Sequence, residues 1–301
     1  MKLPAFVAEP LVRRKTALHE IKADRYQIRL ARTAREYRDA FRLVHVGYVF
    51  QGIETLKEID LRMTEQHVLS EAIVLVAYEG SQIVGTISII QDSPAGLPLD
   101  KDYPAELLRL RHTGAKLSEI GSLAIVRRCW HTGIMSLLAM AAMRVAFRVH
   151  RSTQIVIGVH PRAETLYRSL WDAHSIGAAR KHADLGAPVL GMAHERSSVE
   201  RHMARCYRRP LQMGVSVVDY VFGQHVPQGL YLPEDVSTDD WSRFKMPREV
   251  FRELFIDRSY HLAELSTQTF RHLSSQRTEQ TVGVRAEPAL PAPQTQDRCN
   301  G

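Results

Sequence analysis

Two apolar runs broken by a short polar turn, EAIVLVAYEGSQIVGTISII at residues 71–90, constrain this chain more than any other stretch. Apolar segments on either side of EGSQ predict two strands joined as a hairpin. Strand-like and helix-like segments alternate around it. YQIRLAR (26–32) reads as an earlier strand, and AREYRDAFRLVHVGYV (34–49) as a helix with Tyr37, Phe41, Val44 and Tyr48 at helical spacing. KLSEIGSLAIV (116–126) predicts another strand, followed by the helix GIMSLLAMAAMRVAFRVH (133–150), whose uncharged first half must be largely buried. IVIGVHPRAETLYRSLW (155–171) supplies the next strand and helix, and PVLGMAHE (188–195) a final strand. No internal repeat is evident. This order predicts an α/β domain over residues 26–195, a mixed central sheet flanked by helices.

Outside that span the character changes. Residues 1–25 read as an N-terminal extension. SSVERHMARCYRRPLQM, PREVFRELF and SYHLAELSTQTFRHLS predict a helical extension over 196–272, and residues 273–301, rich in Pro, Gln and Thr, a disordered tail. The 301 residues are enough for one large domain or two small ones, and 45% hydrophobic with 24% charged residues is ordinary for a soluble enzyme. Cys129, Cys206 and Cys299 lack the paired spacing of a zinc site or a disulfide framework, so a reducing compartment and no metal are expected. No apolar run approaches the roughly 20 residues of a membrane span, and the opening MKLPAFVAEPLVRRKTALHEIK has no long apolar core, so the expected location is the cytoplasm. A net charge of +7 and a pI near 9.4 favour an acidic partner. No helix-turn-helix, zinc or aromatic-platform motif argues for nucleic acid. The 14 histidines are scattered, and His160 and His182 stand isolated.

Three places carry candidate chemistry. In the 155–171 stretch Pro161 suits a first helical turn, and Ala163, Leu166, Tyr167, Leu170 and Trp171 share the face that packs on the sheet. Tyr167 then sits about one and a half turns in, close to the preceding strand's end, as a site residue or as a core aromatic. In SEIGSLAIVRRCWHTGIMSLL a strand meets a helix start, where free N–H groups form an anion site that Arg127 and Arg128 would reinforce beside the single glycine Gly133. Otherwise those arginines are simply solvated. Glu119 lies in that strand, as a base with a pKa raised by burial or as a solvated carboxylate. Gly85, inside a strand, marks a bulge or a close approach of another chain.

The phrases AFRLVHVGYVFQGI, IVGTISIIQDSPAGLPLD, SEIGSLAI and VHPRAETLYRSLWDAHSIG, in this order, resemble the GCN5-related N-acyltransferase (GNAT) fold. More narrowly they resemble the N-acyl amino acid synthases, relatives of the acyl-homoserine-lactone autoinducer synthases. The resemblance implies that Tyr167 protonates the departing thiolate and that Glu119 accepts the proton of the attacking amine. It also implies that the loop with Arg127, Arg128 and Gly133 binds the donor's phosphate. The usual glycine-rich coenzyme A loop is replaced here by RRCWHTGI, and an arginine often found three residues after the glutamate is Ser122.

This departure favours a phosphopantetheine-linked donor on an acidic acyl carrier protein, acyl coenzyme A being the other option, with no tightly bound cofactor. The expected reaction transfers a long-chain acyl group to an amino acid. Acetyl-coenzyme A-dependent N-acetylation and a non-catalytic carrier-binding role are the alternatives. Arg109, Arg111, Lys116, Arg148, Arg151, Arg201, Arg205, Arg208 and Arg209 are candidate docking cations. Met135, Leu138, Met140 and Met143 are candidate acyl-tunnel residues, and the extension is a candidate for contact with a membrane surface where a lipid product would leave.

Overall fold

The computed structural model describes residues 23–55, 60–211, 214–232, 244–257 and 265–283, with side chains in the last helix described to residue 276. Most of the expected N-terminal extension therefore lies outside the described residues, as do residues 259–264 of SYHLAELSTQTFRHLS and residues 284–301 of the expected tail.

One sheet organises the chain. Its strands are β1 (Gln27–Leu30), β2 (Ala72–Glu79), β3 (Gln82–Gln91), β4 (Leu117–Ile125), β5 (Gln154–Val159), β6 (His174–Ser175), β7 (Arg180–Lys181), β8 (Pro188–Glu195) and β9 (Leu230–Tyr231). They lie in the order β6-β8-β5-β4-β3-β2-β1-β9, with β7 on β8. The two-residue strands β6, β7 and β9 are additions to the sequence reading, too short to leave a periodic signal. Pairing is antiparallel except for β4 with β5 and β1 with β9. The hairpin is as expected, turning at Gly80, whose φ of +60° suits glycine.

Alternate residues of β2 feed two cores. Ile73, Leu75 and Ala77 face helix α3 (Ile134–Arg144), whereas Val74 and Val76 face α1 (Ala34–Phe50) through Tyr37, Ala40 and Phe41. A capping box starts α1: Thr33 Oγ1 accepts the Glu36 N–H, and Glu36 Oε2 accepts that of Thr33. Gly85 explains how α3 lies so near the sheet, since a Cβ there would come 2.8 Å from Leu138 Cδ1. Gly85→Ala is therefore expected to cost about 1–3 kcal/mol by overpacking. A thermal melt checks this: the midpoint falls while activity per folded molecule is retained.

The remaining helices are α2 (Pro104–His112), α4 (Glu164–Trp171), α5 (Arg196–Cys206), α6 (Val217–Phe222), α7 (Arg248–Phe251) and α8 (Thr267–Gly283). The extension is built into the same cores. Val199, Met203, Tyr220 and Val221 join the α3 side, and Val250, Leu254, Phe255 and Leu273 the α1 side. Buried Arg144 donates to the Asp219, Tyr220, Gln224 and His225 carbonyls at the end of α6. Residues 273–283, expected in the tail, instead continue α8, and His272 and Gln276 of that helix both hydrogen-bond to Glu71, just before β2. Among the described residues no helix is long and apolar enough to cross a membrane.

The feature that makes a site is the parting of β4 from β5. Their parallel pairing covers only Leu117–Glu119 against Gln154–Val156, while β5 continues along β8 to Val159. On its other edge β4 takes an extra residue, since Ser88 pairs with Gly121 and Thr86 with Ala124. Ser122 sits in this bulge with φ 50°. The bulge bends β4 away, so the strands open like a V just past Glu119.

Candidate active site

Three adjoining cavities follow β4 through this opening. The outer one, about 510 Å³, lies between α1 and the start of α3 and is lined by Leu123, Ile125, Trp130, Gly133, Met135 and Leu166, among others. A central one of about 290 Å³ fills the V, between Ile120–Leu123 of β4 and Ile157–Val159 of β5, against Tyr167 and Trp171 of α4. The inner one, about 100 Å³, is polar and holds Glu119, Arg62, Gln66, His67, Ser88 and Asp102. Tyr48, near the end of α1, lines all three.

Glu119 is buried, and its Oε2 accepts the Leu99 N–H at 2.8 Å. Burial pushes its pKa up to about 8, and the charges of Asp100, Asp102 and Asp92 push the same way against the Leu99 bond. Arg111 clamps Asp92 and Asp100 with four donations of 2.6–2.8 Å, fixing the turn that carries Leu99. This cation is thereby spent inside the fold. Arg148 likewise donates to the Phe222 carbonyl, and Arg109, exposed, pairs with Glu106. Arg201, Arg205, Arg208 and Arg209 are exposed, and none of them lines the three cavities.

Tyr167 is half-buried on α4, with its pKa raised by burial and by Tyr48. Its phenol therefore stays protonated at neutral pH. Glu119 and Tyr167 line neighbouring cavities, joined through the shared walls Tyr48, Gly121, Ser122 and Gly158. Beyond Glu119, among the described residues, no strand pairs with the β5 side of β4, so the backbone of Gly121–Leu123 borders the central cavity along an open edge.

The expected phosphate-binding residues separate. Gly133, φ 84°, caps the start of α3 and lines the outer cavity; no side chain caps the helix there. Arg127 stands outside that lining, its guanidinium 5.2 Å from the Phe50 ring centroid. Arg128, also outside, donates to Gln82 and pairs with Glu79 at 3.7 Å. Cys129 is buried with its thiol pKa raised, as suits packing rather than nucleophilic attack. Of the tunnel candidates, Met135 lines the outer cavity and Met143 the central one, while Leu138 and Met140 are core.

The structure adds residues that the sequence reading passed over. Tyr48 counted there only as part of a helical face, yet it stands at the junction of the cavities. Its pKa is raised by burial, and the Arg62 guanidinium lies 5.4 Å from its ring centroid. Arg62 is mostly buried and uses Nη1 to reach Glu54 at 3.2 Å. His67, its pKa lowered to about 4 by burial, is neutral and meets Ser88 Oγ through Nε2. Gln66 Oε1 and Asp102 Oδ2 are buried in the inner cavity's wall without a hydrogen-bond partner among the described residues. Two such acceptors are costly to leave unmade, and they suit a ligand bringing N–H donors.

The profile of "N-acyl amino acid synthase FeeM" matches residues 39–195. The solved structure of FeeM, an N-acyl amino acid synthase from uncultured soil microbes, is 25% identical, with a TM-score of 0.52 over 60% of this chain and 98% of that one. More distant are BjaI, a CoA-dependent acyl-homoserine lactone synthase (15%, TM-score 0.47, 70% of this chain, 97% of that one), and the synthase LasI (16%, 0.42, 56% and 88%). No curated protein matches the chain. The matched span takes in every strand from β2 to β8 and every residue lining the three cavities, just over half of the sequence. The chain accordingly belongs to the FeeM N-acyl amino acid synthase family and is an N-acyltransferase.

Proposed function

We propose that the protein moves a long-chain acyl group from the phosphopantetheine thioester of an acyl carrier protein to the amino group of an amino acid. The observation that carries this reading is the polar inner cavity around Glu119, opening into an apolar cavity faced by a protonated tyrosine. The phosphopantetheine arm enters by the outer cavity, its single phosphate at the uncapped N–H groups after Gly133. A loop with one glycine and a bulky Trp130 supports one phosphate there rather than a pyrophosphate. The thioester then lies in the V, its acyl chain against Ile87, Ala139, Met143 and Ile157. An acetyl group would leave most of that apolar wall unfilled.

The acceptor's nitrogen attacks the thioester carbonyl. Its C–N bond forms while the amine's proton passes to Glu119, directly or through water, and the amides along the open edge of β4 hold the oxyanion. The C–S bond then breaks, and Tyr167 gives its proton to the thiolate. A phenol held above its usual pKa of about 10 carries its proton at neutral pH and so has one to give, although passing it to a thiolate whose thiol has a pKa of about 8.5 is uphill by that difference. Asp102 and Gln66 receive the N–H groups of the entering neutral amine, and Arg62 the carboxylate.

This assignment is tested by comparing an amino acid with its decarboxylated amine. The wild type is expected to prefer the amino acid at least tenfold in kcat/KM. Arg62→Gln should raise the amino acid's KM by about tenfold or more, leave the donor's KM unchanged and erase the preference. Equal use of both acceptors by the wild type would overturn the carboxylate contact.

A further inference from the structure

A patch at the mouth of the outer cavity has no role in the chemistry above. Phe50 and Trp130 are exposed at 55% and 42%, yet their rings meet edge-on with centroids 5.7 Å apart. Trp130 is held by a donation from its indole N–H to the Ile125 carbonyl and itself lines the cavity. Val46, 53% exposed, lies one helical turn before Phe50 on the same face of α1. Large apolar residues gathered in solvent mark interaction sites, and aromatic residues with arginine are the types that dominate interface energetics.

The charge around this patch is one-sided. Arg127 lies over Phe50, and Arg128, next in sequence, shares a single acid, Glu79, with Arg25. Three cations against one anion leave a positive rim around an aromatic centre. A second copy of this chain would set those arginines against one another in a two-fold contact. An acidic protein would be steered onto them.

We propose that Val46, Phe50 and Trp130, ringed by Arg25, Arg127 and Arg128, form the docking surface for the acidic face of the acyl carrier protein. The surface rests on the carrier-donor reading, since a carrier seated here would feed its arm past Trp130 into the outer cavity. It also relocates the docking cations expected from sequence: Arg111 and Arg148 are engaged within the fold, whereas the Arg127 rim stands beside the only one of the three cavities that reaches α3's N-terminus.

Phe50→Glu and Val46→Glu test this with two donors bearing the same acyl group, the holo-carrier thioester and the small acyl-pantetheine thioester. Neither residue lines a cavity of the reaction path. Expected is a fall of at least tenfold in kcat/KM for the carrier donor, with the pantetheine donor within twofold of wild type. The wild type's KM for the carrier should also rise with salt, while that for pantetheine does not. A wild-type preference for the carrier that persists in both variants would overturn the surface and leave the carrier reading standing. No wild-type preference for the carrier would overturn both. An equal loss with both donors would show that the patch shapes the cavity, and would also overturn the surface.

Discussion

Glu119→Gln is expected to lower kcat by about 10²–10⁴-fold, the range that a positioned base contributes. The substitution keeps an oxygen to accept the Leu99 N–H at the same place, so the loss would report proton transfer rather than collapse of the turn. The pH profile separates these further. With a carboxyl pKa of about 8, only about a tenth of the wild-type sites carry the base at pH 7. For an acceptor amine that stays unprotonated over the range, the rate should rise about tenfold per pH unit below 8 and level off above it. In Glu119→Gln that inflection should disappear.

The same shift predicts stability. A buried carboxyl whose folded pKa exceeds its unfolded value holds its proton more tightly in the native state. The contribution of Glu119 to stability is then greatest below the unfolded value, near 4.3, declines with pH to about 8 and is flat above that. Glu119→Gln lacks this decline and should melt at a higher temperature than wild type at pH 9, with no comparable gain at pH 4. Parallel melts that show no pH-dependent difference would contradict the burial argument.

Tyr167→Phe is the second large effect. Removing the hydroxyl should lower kcat by about 10²-fold with little change in donor KM, since in the proposed mechanism the phenol acts on the leaving group rather than on binding. The defect should depend on that leaving group. An aryl thioester releases a thiolate that needs no proton, and with it Tyr167→Phe should come within a few-fold of wild type. If the defect is unchanged with the aryl thioester, Tyr167 is not the proton source. Tyr48→Phe in the same assay would then show whether the other phenol, which lines all three cavities, takes that part.

The frame was legible in the sequence because its strands are long apolar runs bounded by turn residues, and because α3 begins with an uncharged stretch that only a core accommodates. What escaped were features made by convergence. Tyr48 has the spacing of any core aromatic on α1, and nothing local distinguishes it until β4 bends away beside it. Arg62 follows α1 in a connecting segment and faces Glu119's cavity only once the sheet is formed. The acids that raise Glu119's pKa come from the β3–α2 connection, and that they crowd one carboxyl depends on Arg111 clamping two of them. Counting cations gave the right sign for the whole molecule but not their partners, which is why Arg111 read as a docking residue. The two-residue strands beside β8 and β1 have no periodicity to detect.

The central claim is acyl transfer from a carrier to an amino acid within the V between β4 and β5. Its most direct test is mass spectrometry of the purified chain incubated with pooled amino acids and either a long-chain acyl carrier thioester or acetyl-coenzyme A. The account predicts an N-acylated amino acid from the carrier donor alone, absent with Glu119→Gln. An acetylated product from acetyl-coenzyme A, or no transfer from the carrier under conditions where the protein is folded, would contradict it.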